Sequence, residues 1–294
     1  MKKLILKCFA FSFYFSLFPQ AFTQTVNDAF HYALELYKNG KYEESAIELE
    51  RVAFFSDSLD KECYLFLAKY HTIKNDIEKS GVYYDMAYNL EKNDSIRMEI
   101  RFNKIHLYLE HNQPVYSLID LNTMQINNSD YFTKKKLFYL VLCQFISDDY
   151  KQSEKNMNVL SQYFSNHDSL YLSSLFKIAL KNNSKNTSTA SMFSIIIPGL
   201  GQVLNGAYLE GINSFLLNAI LISAAIITMN HLSFLDAFLS FFQVIKRYYL
   251  SGIFISKRIA EQKKSEKKIR LYNELLDYIN NEFQKANSFR SSEV

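Results

Sequence analysis

One seven-slot pattern returns four times between residues 33 and 160, and it restricts the chain more than any other feature. In the clearest copy the slots are Ala33, Leu36, Gly40, Tyr42, Ser45, Leu49 and Val52. A shift of 35 residues gives Ala68, His71, Asn75, Ile77, Ser80, Tyr84 and Ala87. A further 37 give Ile105, Tyr108, Asn112, Pro114, Ser117, Leu121 and Met124, and 36 more give Val141, Gln144, Asp148, Tyr150, Ser153, Met157 and Leu160. Small residues at fixed places let two helices cross closely, and large ones fill the groove between successive pairs. The spacing therefore predicts helical hairpins that turn at the third slot and stack, because no single unit buries its own apolar face. Composition agrees: 7 Gly and 3 Pro stand against 21 Tyr and 25 Phe in 294 residues, few turn formers and many side chains suited to packing between helices.

These slots resemble tetratricopeptide repeats over about half of the chain. The resemblance implies an α-solenoid presenting a concave groove to a protein or peptide. The positions with a packing role are Ala33, Gly40, Tyr42, Ala68, Ala87, Tyr108 and Tyr150. The chain departs from the family twice: Pro114 stands where an aromatic is usual, and Asp148 stands in place of the turn glycine. Irregular geometry is expected at both. Another antiparallel helical array of the same period would also be a solenoid. Residues 168–183, DSLYLSSLFKIALKNN, read as a lone closing helix over the last apolar face.

The first 23 residues have the layout of a secretory signal: Lys2 and Lys3, an apolar run from Leu4 to Phe18, Pro19, then Ala21-Phe22-Thr23. An uncleaved N-terminal anchor is the other reading, since Lys7 interrupts the run. Either way the segment that follows leaves the cytoplasm. Cys8 follows Lys7 and lies deep within the run, which makes it a poor lipid-attachment cysteine. Cys63 and Cys143 are embedded in separate repeats and read as buried thiols rather than a disulfide.

The composition changes at residues 182–190, a small polar stretch that reads as a linker between a repeat domain at 25–181 and a membrane-embedded domain at 191–256. Gly211 to Met229 carry no charge, nearly enough for one bilayer-crossing helix. Just before them Gly199, Gly201, Gly206 and Gly211 crowd next to Pro198, so a short helix, a bend and then the span are expected. A phosphate-cradling loop is a poor reading, since no strand precedes the glycines and no Walker lysine follows. Pro198, Gly199, Leu200, Gly201, Gln202, Asn205, Gly206, Tyr208 and Gly211 together resemble the "PGxGQ…NG…G" signature of small bacterial membrane domains of unknown function. Such domains can follow a signal peptide and tetratricopeptide repeats in cell-envelope proteins of the Bacteroidetes type. The resemblance implies a membrane helical hairpin and no established activity.

A second apolar stretch, 232–245, contains Asp236 and stops at Lys246 and Arg247. With Lys257, Arg258, Lys263, Lys264, Lys267, Lys268 and Arg270, these two form a basic cluster that the positive-inside rule puts in the cytoplasm. Exported repeats then require an odd number of crossings. One segment is re-entrant, 192–197 also spans, or both ends are periplasmic, and the balance goes to a re-entrant segment. Residues 257–294 read as a charged amphipathic helix and tail, with Leu271, Leu275, Ile279 and Phe283 four apart. That stripe can pair with a partner helix, lie on the membrane or pack on its own protein.

The six histidines make no HExxH and no zinc spacing with cysteine, and no nucleophile elbow occurs. No catalytic residue, metal ligand, cofactor or small-molecule substrate is expected. The net charge of +3 is scattered, which disfavours nucleic acid. The expected class is all-α: about four repeat hairpins, then a membrane hairpin and an amphipathic helix. The expected function is a non-enzymatic scaffold, anchored on the periplasmic side of the inner membrane, with exported repeats that bind a protein or peptide. The alternative is an accessory subunit of a secretion, insertion or transport system in which the PGLGQ segment is the working part.

Overall fold

The computed structural model describes residues 25–56, 59–126, 129–164, 168–231 and 233–291, and every regular element among them is an α-helix. The expected signal at 1–23 lies outside these residues. Two compact units are present, residues 1–127 and 128–294. The first holds α1 (Val26–Lys38), α2 (Tyr42–Phe55), α3 (Asp60–Ile73), α4 (Ile77–Leu90), α5 (Asp94–Glu110) and α6 (Pro114–Thr123), three hairpins in sequence. The second holds a fourth hairpin, α7 (Asp130–Ile146) and α8 (Tyr150–Ser161), followed by α9 (Ser169–Asn183), α10 (Ser188–Ile196), α11 (Leu200–Leu204), α12 (Tyr208–His231) and α13 (Phe234–Ser291).

The four hairpins turn in the same way. Their third slots, Gly40, Asn75, Asn112 and Asp148, have φ of 76°, 59°, 55° and 64°. The residue after each donates its N–H five residues back: Lys41 to Leu36 O at 2.9 Å, Asp76 to His71 O at 2.8 Å, Gln113 to Tyr108 O at 2.8 Å and Asp149 to Gln144 O at 2.9 Å. This is the Schellman closure of a helix C-terminus, which requires a left-handed residue. Asn and Asp adopt that conformation at the least cost among residues with a Cβ. The irregularity expected at Asp148 and Pro114 is therefore absent from their turns. Pro114 occupies the first position of α6, where its missing N–H would have no helical partner in any case.

The fifth slot explains itself equally well. Ser45, Ser80, Ser117 and Ser153 are fully buried, and each donates its hydroxyl to the carbonyl of the first slot twelve residues earlier: Ala33 O at 2.7 Å, and Ala68 O, Ile105 O and Val141 O each at 2.8 Å. Ala33, Ala68 and Ala87 are also fully buried, where a larger side chain would push the helices apart. Tyr42 and Tyr108 are half-buried and Tyr150 is buried. The Tyr42 ring meets Tyr37 edge-on at 5.0 Å, and the Tyr150 hydroxyl donates to Asp148 Oδ1 at 2.7 Å. Cys63 and Cys143 are fully buried thiols outside any disulfide, and burial pushes that of Cys63 up to about 12.

In the second unit α9 is not a lone closing helix. The C-terminal part of α13 runs antiparallel along it: Asn182 Nδ2 donates to Lys264 O at 2.9 Å, while at the other end the Asp168 N–H donates to Tyr278 Oη at 3.0 Å. Leu271, Leu275 and Ile279 are buried, Tyr272 packs 6.2 Å from Phe145, and Phe283 meets Phe164 edge-on at 5.2 Å. Of the three readings of that stripe, packing on its own chain is the one observed. A fifth helical pair is thus assembled from α9 and the C-terminal part of α13, segments separated in the chain by residues 184–263. The stretch expected to be a linker at 182–190 shrinks to residues 184–187 between α9 and α10.

Lys268 fastens α13 to the fourth hairpin, its Nζ lying 2.7 Å from Asp148 Oδ1 and 2.7 Å from Ile146 O. Burial acts to raise the Asp148 pKa, but the Lys268 ammonium and the Tyr150 hydroxyl outweigh it and hold the carboxyl below its usual 3.8. A depressed carboxylate stabilises the fold above its ordinary value, and that contribution is lost as the pH falls through the lower folded-state value. Asn also tolerates positive φ, so Asp148→Asn isolates the charge. The variant is expected to melt below wild type at pH 7, by no more than about 1 kcal/mol because the pair is part-exposed. The gap should close as melts are repeated below pH 3.8; a gap independent of pH would refute the charge as its cause.

Candidate membrane-facing hairpin and its glycine junction

α10 ends at Ile196, two residues before Pro198, which cannot donate to a continuing helix. Gly199 follows with φ of 92° and starts α11, and Gly206 with φ of 81° ends it before α12. Side-chain-free backbone is required at most of these glycines. A Cβ on Gly199 would lie 2.1 Å from Gly211 O, and one on Gly211 would lie 2.5 Å from Val203 Cγ2. One on Gly201 would meet Ala190 O at 2.0 Å, Ser256 Oγ at 2.3 Å and Ser194 Oγ at 2.6 Å. Gly206 faces open space and is needed only for its φ.

Hydrogen bonds close the same junction. Gly201 N–H donates to Ser194 Oγ at 3.0 Å, and Ser256 Oγ donates to Ala190 O at 2.8 Å. Gln202, buried, donates through Nε2 to Gly252 O at 3.2 Å, and Asn205 Nδ2 donates to Gly201 O at 2.7 Å. Tyr249 Oη donates to Ile195 O. Four helices, α10 to α13, meet here at backbone distance. Of the nine motif residues the structure brings Gly199, Gly201, Gln202, Asn205 and Gly211 into the contact. Pro198 and Leu200 flank it half-buried, while Gly206 and Tyr208 are exposed outside it. Ser194, Gly252 and Ser256 were not anticipated. Their signal is present in the sequence as small residues four apart, Ala190 with Ser194 and Gly252 with Ser256 and Ala260, the spacing that lets apolar helices approach closely.

Beyond the junction α12 and α13 run antiparallel. Ser214 faces Gly252, and only residues 232–233 connect the helices, so the Tyr208 and Ser256 ends lie together. α12 is long and apolar enough to cross a membrane, and few of its residues are fully buried. Leu209, Ile212, Phe215, Ile220 and Ile227 are exposed on α12, as are Phe234, Leu235, Leu239 and Phe254 on α13. A soluble core helix of this composition would be buried; exposed apolar surface on this scale marks an interaction site. α13 differs in carrying a polar stripe at helical spacing, Asp236, Ser240, Gln243, Arg247, Ser251 and Arg258, all exposed.

No group of three or more His, Cys, Asp or Glu side chains that could hold a metal occurs among the described residues. His71 stacks on Tyr83 at 5.2 Å, with its pKa lowered chiefly by burial, and Glu43 pairs with Lys74 at 2.8 Å. These contacts give both residues packing and surface roles. Compared with known proteins, the chain matches no family model, no curated protein and no solved structure.

Proposed function

We propose that this is a non-enzymatic, membrane-attached repeat protein of the cell envelope. Its tetratricopeptide-like hairpins bind a protein or peptide, and the α12–α13 hairpin holds the chain to the bilayer. The observation that carries the reading is the uncovered apolar surface of α12, long enough for a bilayer and left bare by the rest of its unit. Support for a partner comes from Ile47, Val82 and Ile119. Each stands two residues after the buried serine of its hairpin, on α2, α4 and α6, and they are 63%, 47% and 55% exposed. A recurring apolar position that intramolecular packing does not need suits a repeat surface that recognises a peptide.

A hairpin that enters the bilayer returns to the face it left, so the fourth repeat and the basic part of α13 share a side. Together with a secretory N-terminus this favours the periplasmic face for both. The runner-up, an accessory subunit of a membrane assembly, is favoured by the polar stripe from Asp236 to Arg258, which an anchor does not require.

Single reporter cysteines at Ser173, Gln262 and His231 test the arrangement, because Cys63 and Cys143 are fully buried and give little background. With an impermeant thiol reagent on intact cells, Ser173 and Gln262 are expected to label together and His231 not to label with them. Labelling of Ser173 and Gln262 from opposite sides would refute the hairpin reading, and protection of both until the inner membrane is opened would refute export.

A further inference from the structure

At the base of the hairpin a cleft of about 620 Å³ opens between the α9–α10 turn and α13. Lys185, Lys263, Lys267 and Arg270 line it, with Glu266 the one acid among the lining residues. Lys263 shares a part-exposed ion pair with Glu266 at 3.7 Å, and no ion pair within 4 Å holds Lys185, Lys267 or Arg270 among the described residues. Lys264, also in the lining, is committed to the α9 C-terminus, with its Nζ 2.6 Å from Asn183 O.

Part of the lining is apolar. Phe193 and Leu204 line it at 40% and 59% exposure, continuous with the exposed Met192 and Ile196 of α10. The cleft therefore joins a concentration of cations to bare hydrocarbon, at the level where the apolar part of α13 gives way to Lys257 and Arg258. We propose that it binds the phosphate of an anionic phospholipid headgroup, with the acyl chains against Phe193 and Leu204. This rests on the reading that the hairpin enters a bilayer. Free phosphate would satisfy the cations and leave the apolar wall bare. A zwitterionic lipid would bring its own cation against Lys267 and Arg270.

Each Lys or Arg near an anionic surface contributes roughly fivefold in affinity. The full-length chain, exchanged into micelles holding equal amounts of phosphatidylglycerol and phosphatidylcholine, is expected to retain the former over the latter by about tenfold or more. The combined Lys263→Gln, Lys267→Gln and Arg270→Gln variant changes only exposed side chains and is expected to fall to parity with an unchanged helical spectrum. Parity in wild type, or a preference that survives in the variant, overturns the proposal. Displacement of the lipid by millimolar inorganic phosphate overturns the lipid as the ligand. Flotation with pure phosphatidylcholine vesicles separates the two readings. Both proteins are expected to float; if neither does, the bilayer reading falls and this one with it, whereas flotation without headgroup preference refutes only the cleft.

Discussion

Gly201→Ala is expected to break open the junction of α10 to α13 while residues 25–126 stay folded. The two serine hydroxyls near the new methyl group can rotate away, but Ala190 O, 2.0 Å from it, is backbone inside α10. The clash is relieved only if α10 and α11 separate, which costs about 1–3 kcal/mol or more and releases the bonds at Ser194 and Ser256 with it. Gly199→Ala meets Gly211 O at 2.1 Å and adds the cost of a positive φ, about 1–2 kcal/mol. Gly206→Ala isolates the second cost, because its surroundings are open. Thermal melts in detergent, with proteolysis at residues 184–187 as a local probe, should rank Gly199→Ala and Gly201→Ala far below Gly206→Ala. If all three variants melt alike, the close approach has no energetic weight.

Leu275→Ala should be comparably severe, for a different reason. Leu275 is fully buried and lies on α13 among the residues that complete the fifth helical pair. Truncating a buried leucine costs about 2–5 kcal/mol, depending on how far the cavity collapses. The loss falls on α7, α8 and α9, which depend on a segment from the far end of the chain. Amide exchange is expected to quicken in α9, while α1 to α6 exchange as in wild type. Unchanged exchange in α9 would mean that α13 merely lies alongside it.

The repeat hairpins were legible because their physics is local. The slots for a small residue and for a turn recur at fixed spacing, so the pattern marks Ser45, Ser80, Ser117 and Ser153 as close-packed small positions, while the bond of each hydroxyl to the first slot is seen only in the fold. The pattern misjudged Asp148 because it asked for glycine, whereas the turn asks only for a residue that tolerates positive φ. The glycine motif could be located but not interpreted. What Gly199 and Gly201 avoid is set by Gly211 O and Ala190 O, and in part by Ser256 on a helix more than fifty residues away. The fifth pair was invisible for the same reason. Leu271, Leu275 and Ile279 announce an apolar face, but nothing local says that α9 covers it across residues 184–263.

α13 is one unbroken helix of 58 residues, about 87 Å at the usual rise. It is a rigid strut gripped at two places, by α12 through Gly252 and by α7 and α9 through Lys268, Leu275 and Ile279. Any displacement of its N-terminal half is therefore carried along a continuous backbone to the face that packs on α9. The proposed membrane hairpin and the fourth repeat hairpin would then be coupled through one continuous helix, with no flexible linker between them.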